Sequence, residues 1–231
     1  MSEPPRLSRS FSYDVETLLA HPVSPTDDAP PLFVDLHGQG QTGERQARWM
    51  GPAVPPGFAA AFPDGFFPIE VRRPERPVRI GRAWYHYSTA DRPAFLAALD
   101  RAVDELWATV DAACEALGAD RGRVFLGGFS QGGYLTHVAC LRRPERVAGW
   151  LVQMGGLRRD YVPGGLPALA GKPVLLQQGD RDEAFTPAMA DEVRALLDEA
   201  GADVTVQRFD VPHVITPEMA VAAREWLQGL A

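Results

Sequence analysis

Val124-Phe125-Leu126-Gly127-Gly128-Phe129-Ser130-Gln131-Gly132-Gly133 decides how the rest of this chain reads. An apolar run leads into a Gly-x-Ser-x-Gly pentapeptide, Gly128 to Gly132, and a helical pattern continues to about Leu141. The order strand, tight turn, helix is what holds a serine in a strained backbone conformation with its Oγ presented outward. Glycines two residues either side of Ser130 let neighbouring backbone approach without a Cβ clash. The stretch therefore predicts a buried strand whose carboxyl end carries an accessible serine on a sharp turn.

Working outward, strand-like and helical segments alternate. Upstream, Leu32 to Leu36 is a short apolar run ending at His37-Gly38, and Phe58 to Phe62 is a second, stopped by Pro63-Asp64-Gly65. From Phe95 to Leu117 apolar residues recur on one helical face, with Asp91 and Pro93 near the start and Gly118 at the end. Downstream, Val147 to Gln153 and Pro173 to Gln178 read as strands. A helix over Pro187 to Ala200 follows, with Thr186 as N-cap and Gly201 as stop. Val204 to Phe209 alternates as a strand, and Thr216-Pro217 opens a last helix ending near Leu227. Phe11 to Val15 is a weaker strand. Segments 64–82 and 155–172, rich in Pro, Gly and Arg, read as surface loops, too short for a separate cap domain. The alternation predicts an α/β fold with a mainly parallel central sheet, helices on both faces and functional groups at the strands' carboxyl ends.

The 231 residues, 45% hydrophobic and 23% charged, suit one domain spanning 1–231 with residues 1–10 loosely ordered. A net charge of −7 disfavours nucleic acid as a partner. Met1 to Ser10 lacks the apolar core of a signal peptide, and no apolar stretch approaches membrane-spanning length. The expectation is a cytoplasmic protein without stable membrane insertion, with a homodimer left open. Cys114 and Cys140 fall in helical patterns and read as buried free thiols.

A serine hydroxyl is a weak nucleophile and needs an adjacent base, normally histidine oriented by a carboxylate. After Ser130 the chain offers His137 on the elbow helix, which reads as structural, and His213, just beyond the Val204–Phe209 strand. His213 is the candidate base. For the acid, Asp180, Asp182 and Glu183 all follow the apolar run Val174 to Leu176 at a strand's carboxyl end, and spacing alone leaves them open. Acyl transfer also needs donors for a developing oxyanion. The backbone N–H groups of Gln131, directly after the serine, and Gln39, in the loop His37-Gly38-Gln39-Gly40, are the candidates. His37 reads as ordering that loop. Trp84-Tyr85-His86-Tyr87 is a strand-like aromatic run that lines a pocket or fills core, and the arginines at 72, 73, 76, 79 and 82 form a solvated loop or attract an anion. No His/Cys/Asp/Glu grouping has metal-ligand spacing, and no phosphate-binding loop is present, so neither metal nor cofactor is expected.

Gly127 to Gly133 resembles the elbow of the phospholipase/carboxylesterase family of α/β-hydrolases, which includes acyl-protein thioesterases. Leu36 to Gly40 resembles its oxyanion loop, Gly81-Arg82-Ala83-Trp84-Tyr85 its Trp-Tyr/Phe stretch, Gly179 to Asp182 its Gly-x-x-Asp turn, and Pro212-His213 with Ile215 and Glu218 its histidine loop and final helix. The likeness runs over residues 30–229. It implies the α/β-hydrolase fold, with Ser130 as nucleophile, Asp182 as orienting acid, His213 as base, and Gln39 and Gln131 as oxyanion donors. Gln39, Gln41 and Gln178 depart from its usual apolar, acidic and histidine residues, so acyl-chain length stays open. The expected activity is hydrolysis of small or short-chain carboxylic esters through an acyl-enzyme. A thioesterase or lysophospholipase with the same triad is the alternative, with a non-catalytic binding protein behind it.

Overall fold

The computed structural model describes residues 14–24, 28–72, 74–88, 90–162 and 164–230. Among these, β1 (Thr17–Ala20), β2 (Leu32–Leu36), β3 (Ala59–Pro63), β6 (Val124–Phe129), β7 (Gly149–Gln153), β8 (Pro173–Gly179) and β9 (Asp203–Phe209) form a seven-stranded sheet in the order β1-β3-β2-β6-β7-β8-β9. Only β1 runs antiparallel. The central strands are apolar at nearly every position because both their faces are covered. One face carries α2 (Arg92–Leu117), α3 (Gln131–Arg142) and α4 (Pro187–Glu199); the other carries α1 (Gly43–Met50) and α5 (Pro217–Gln228).

Helix boundaries follow capping chemistry. Asp91 accepts from the Ala94 N–H to start α2, and Gly118 ends it in the left-handed conformation (φ 61°). Thr186 and Thr216 cap α4 and α5, each followed by proline in the first turn. Cys114 and Cys140 are free and buried on α2 and α3, as expected.

Three expectations need correction. The segment 64–82 is not simply loop: β4 (Phe67–Val71) and β5 (Arg79–Ala83) pair there as an antiparallel hairpin. Its prolines and arginines concealed a half-buried alternation. The hairpin docks on the loop after β2, where Gly40 N–H donates to Arg82 O at 2.7 Å and Arg82 N–H to Gln41 O at 2.9 Å. Within 155–172, Arg159–Tyr161 forms a 3-10 turn. The strand expected over Phe11–Val15 lies largely outside the described residues, as does the loosely ordered 1–10. The described Asp14 and Val15 are not in a strand, which begins instead at Thr17.

Under α1 the sheet buries a polar seam. The Gln46 side chain donates to Asp35 Oδ2 at 2.6 Å, and an amide relay crosses three strands from Gln153 to Gln177 (2.8 Å) to Gln207 (2.9 Å). Asp35 is fully buried, and this burial pushes its carboxyl up to about 7 against the favourable Gln46 hydrogen bond.

Candidate active site

The carboxyl ends of β2, β6, β8 and β9 converge on one edge of the sheet. Ser130 sits between β6 and α3 with φ 53° and ψ −118°, a conformation that costs a non-glycine residue about 1–3 kcal/mol. The turn closes this tightly because a Cβ at Gly132 would stand 2.4 Å from the Leu36 carbonyl oxygen. Ser130 N–H donates to Gln153 O at 3.0 Å and its carbonyl accepts from Tyr134 N–H, so the strain is held from both sides.

Two loops bring the acid and the histidine to it. Asp180 N–H donates to Phe209 O at 2.8 Å and Arg181 N–H to Val211 O at 3.1 Å, continuing the β8–β9 pairing past the strands. The Gln178 amide donates to the Gly179 and Phe185 carbonyls, both at 2.8 Å, and holds the acid turn from beneath. Asp182 is buried; its Oδ1 accepts the Ala184 and Phe185 N–H groups at 2.8 Å each, leaving Oδ2 for His213 Nδ1–H at 2.6 Å. His213 Nε2 accepts from Ser130 Oγ–H at 2.9 Å. Ser130, His213 and Asp182 thus form one hydrogen-bonded line. Asp180 is exposed and 3.5 Å from Arg208, and Glu183 is exposed, so neither joins it.

The loop after β2 packs directly on the elbow, since a Cβ at Gly38 would stand 2.8 Å from the Phe129 ring and 3.3 Å from Ser130 Cβ. The Gln39 and Gln131 backbone N–H groups have no backbone acceptor among the described residues, and both residues line a cavity of about 440 Å³ that includes Ser130. His37 is fully buried, with Nδ1–H donating to Gly38 O and Nε2 accepting from Gly65 N–H, both at 2.8 Å. Burial lowers it to about 4, so it orders the loop as a neutral ring. His137 is likewise buried, lowered to about 3, and accepts from the Trp150 indole.

The aromatic run divides its labour. Trp84 is core, donating its indole N–H to His37 O, while Tyr85 and Tyr87 line the cavity and His86 faces solvent against Phe67. Among the described arginines of 72–82, Arg72 pairs with Glu70 and Arg82 with Asp64, and none of those described lines this cavity. Sequence reading missed the side chain of Gln131: its Oε1 accepts from Trp84 N–H at 3.0 Å and its Nε2 donates to Tyr85 O at 3.1 Å. Among the described residues no group of three or more His, Cys, Asp or Glu could hold a metal, and no helix is long and apolar enough to cross a membrane.

Comparison with known proteins agrees with this architecture. The chain is 27% identical over 214 residues to mouse (Mus musculus) lysophospholipase-like protein 1, covering 89% of each. Among solved structures it is similar to esterase PE8 (TM-score 0.75, 21% identity, 95% of this chain and 100% of that one). It is also similar to the Bacillus cereus carboxylesterase (TM-score 0.73, 20% identity, 94% and 95%). Both likenesses match the α/β-hydrolase arrangement of a mostly parallel sheet between helices. The phospholipase/carboxylesterase family model matches residues 20–230, nearly the whole described chain, and the protein therefore belongs to that family of esterase-type hydrolases.

Proposed function

We propose that this hydrolase cleaves small carboxylic esters through an acyl-enzyme on Ser130. The observation that carries the reading is the line Ser130 Oγ–His213–Asp182, with hydrogen bonds of 2.9 and 2.6 Å, beside a cavity flanked by two backbone N–H groups that have no backbone acceptor among the described residues. Ser130 Oγ attacks the ester carbonyl and its proton passes to His213 Nε2. The Gln39 and Gln131 N–H groups carry the oxyanion as fixed donors placed before the charge develops. His213 then gives its proton to the leaving alkoxide, and the C–O bond breaks. Water, deprotonated by the same nitrogen, attacks the acyl-enzyme, and the proton returns to Ser130 as the acid departs. Asp182 stays ionised, keeps the imidazole in the Nδ1–H tautomer and stabilises its cation. No step calls on a metal or cofactor.

Hydrolysis of p-nitrophenyl acetate by the wild type and by Ser130→Ala tests this. The variant should fold and lose about 10⁴-fold or more in turnover. A folded Ser130→Ala protein with near-wild-type activity overturns the mechanism. A matched oxygen-ester and thioester pair identifies the preferred leaving atom.

A further inference from the structure

The cavity beside Ser130 includes both candidate oxyanion donors but not His213. In the tetrahedral intermediate the leaving oxygen must face His213 Nε2 and the oxyanion must face the donors, so the remaining substituent, the acyl group, points away from His213. The cavity is therefore on the acyl side. Its walls are aromatic: Tyr85, Tyr87, Phe95, Tyr134, Tyr161 and Phe185. Their rings form a linked series, Tyr87 to Phe95 at 5.2 Å, Phe95 to Tyr161 at 5.3 Å, Tyr161 to Tyr134 at 6.5 Å and Tyr134 to Phe185 at 6.3 Å, with Tyr85 at 5.8 Å from Phe95. Such walls offer edges and faces to another ring. A cavity of ~150 Å³ holds benzene, so about 440 Å³ accommodates a ring with a short linker and a substituent.

The polar atoms narrow the choice. The Arg92 guanidinium lies over the Tyr161 ring, 4.9 Å from its centroid, and among the described residues the phenols of Tyr85 and Tyr134 have no hydrogen-bond partner. Tyr85 is only 5% exposed, and its hydroxyl at the cavity wall, with no protein partner among the described residues, is free to bond a ligand. Burial keeps both phenols protonated, pushing Tyr134 up to about 12 and Tyr85 beyond it, so each remains a donor. An alkyl chain would leave both unpaired. A carboxylate is disfavoured as well: Arg158 at the rim is paired with Asp160 at 3.3 Å, while Glu192 beside it has no ion pair among the described residues. Gly156 keeps the arrangement open, because a Cβ there would fall 2.1 Å from the Tyr134 hydroxyl.

We propose that this cavity selects esters of a neutral hydroxyaryl acid, its ring held by the aromatic walls and its hydroxyl hydrogen-bonded by Tyr85 or Tyr134. The assignment rests on the hydrolase reading above. The test uses p-nitrophenyl esters of 3-(4-hydroxyphenyl)propanoic, 3-phenylpropanoic, 3-cyclohexylpropanoic and octanoic acids, whose carbonyls all sit on a CH₂ group and share similar reactivity. The hydroxyphenyl ester should exceed the cyclohexyl and octanoyl esters at least ~10-fold in kcat/KM. Tyr85→Phe or Tyr134→Phe should lower the hydroxyphenyl-to-phenyl ratio about tenfold. Equal or better turnover of the octanoyl or cyclohexyl ester, or a ratio unmoved in both variants, overturns the proposal. If no ester is turned over, the hydrolase reading fails. Calorimetric binding of the uncleaved amides then decides the cavity by itself: tighter binding of 3-(4-hydroxyphenyl)propanamide than of octanamide upholds the assignment, and equal or weaker binding overturns it.

Discussion

Asp182→Asn should abolish most of the activity while sparing the fold, and the reason lies in which oxygen does what. Oδ1 accepts two backbone N–H groups at 2.8 Å, so in the variant the amide oxygen must take that place. The NH₂ group then faces His213 Nδ1, where a carboxylate oxygen stood at 2.6 Å. A donor there makes Nδ1 the acceptor, moves the ring proton to Nε2 and turns the base away from Ser130. Rotating the amide to rescue the tautomer sacrifices two hydrogen bonds, about 2–3 kcal/mol, so only a few per cent of molecules escape. Loss of the charge that stabilises the imidazolium adds to this, for a total of ~10⁴ in kcat, or about 5 kcal/mol. The assay is p-nitrophenyl acetate hydrolysis with Asp180→Asn as control, expected within about twofold of wild type because the exposed Asp180 carboxylate pairs with Arg208 at the surface. Asp182→Asn retaining more than about a tenth of wild-type kcat, or Asp180→Asn failing equally, would refute the reasoning.

Asp35→Asn should stabilise the protein above neutral pH. Its folded pKa of about 7 lies above the ordinary ~3.9, so folding takes up a proton, and stability falls as pH rises from about 4 through 7. The asparagine keeps the Gln46 hydrogen bond without that charge, and urea denaturation should show a gain of up to ~4 kcal/mol at pH 8 and a much smaller one at pH 5; a gap that does not widen with pH contradicts it. Gly132→Ala drives a Cβ against the Leu36 and His37 carbonyl oxygens at 2.4 and 2.7 Å, so thermal unfolding should register a loss of about 2 kcal/mol or more, together with reduced turnover. An unchanged Tm would show that the loop yields freely.

The strands that position the site were legible because burial on both faces writes them as apolar runs: β2, β7 and β8 differ from expectation by at most two residues at either end, and β6 starts at the apolar run Val124 to Leu126 and continues to Phe129. What escaped was stabilised by partners distant in sequence. The β4–β5 hairpin depends on pairing and on docking to residues 40–41, and α1, charged at three of its eight positions, gave no apolar face to read. Ser130 and His213 stood out through motif and position, whereas Asp182 was separable from Asp180 only by resemblance until the two N–H groups on its Oδ1 were visible. The aromatic cavity was illegible for a simpler reason. Its walls come from residues 39 to 193, on five stretches (39, 85–95, 130–134, 156–161 and 185–193) whose meeting only the sheet order determines.

Gln131 carries a consequence for how this enzyme can diverge. Its main-chain N–H is one of the two proposed oxyanion donors, while its side chain grips the backbone of Trp84 and Tyr85. One residue therefore couples the machinery that accelerates the reaction to the wall that chooses the substrate. A change at 131 cannot retune selectivity without also disturbing rate. Tyr87, Arg158 and Met189 border the same cavity, and among the described residues no hydrogen bond ties their side chains to the elbow. Those three positions are where new substrates can be recruited at little catalytic penalty, and where libraries aimed at altered specificity should begin.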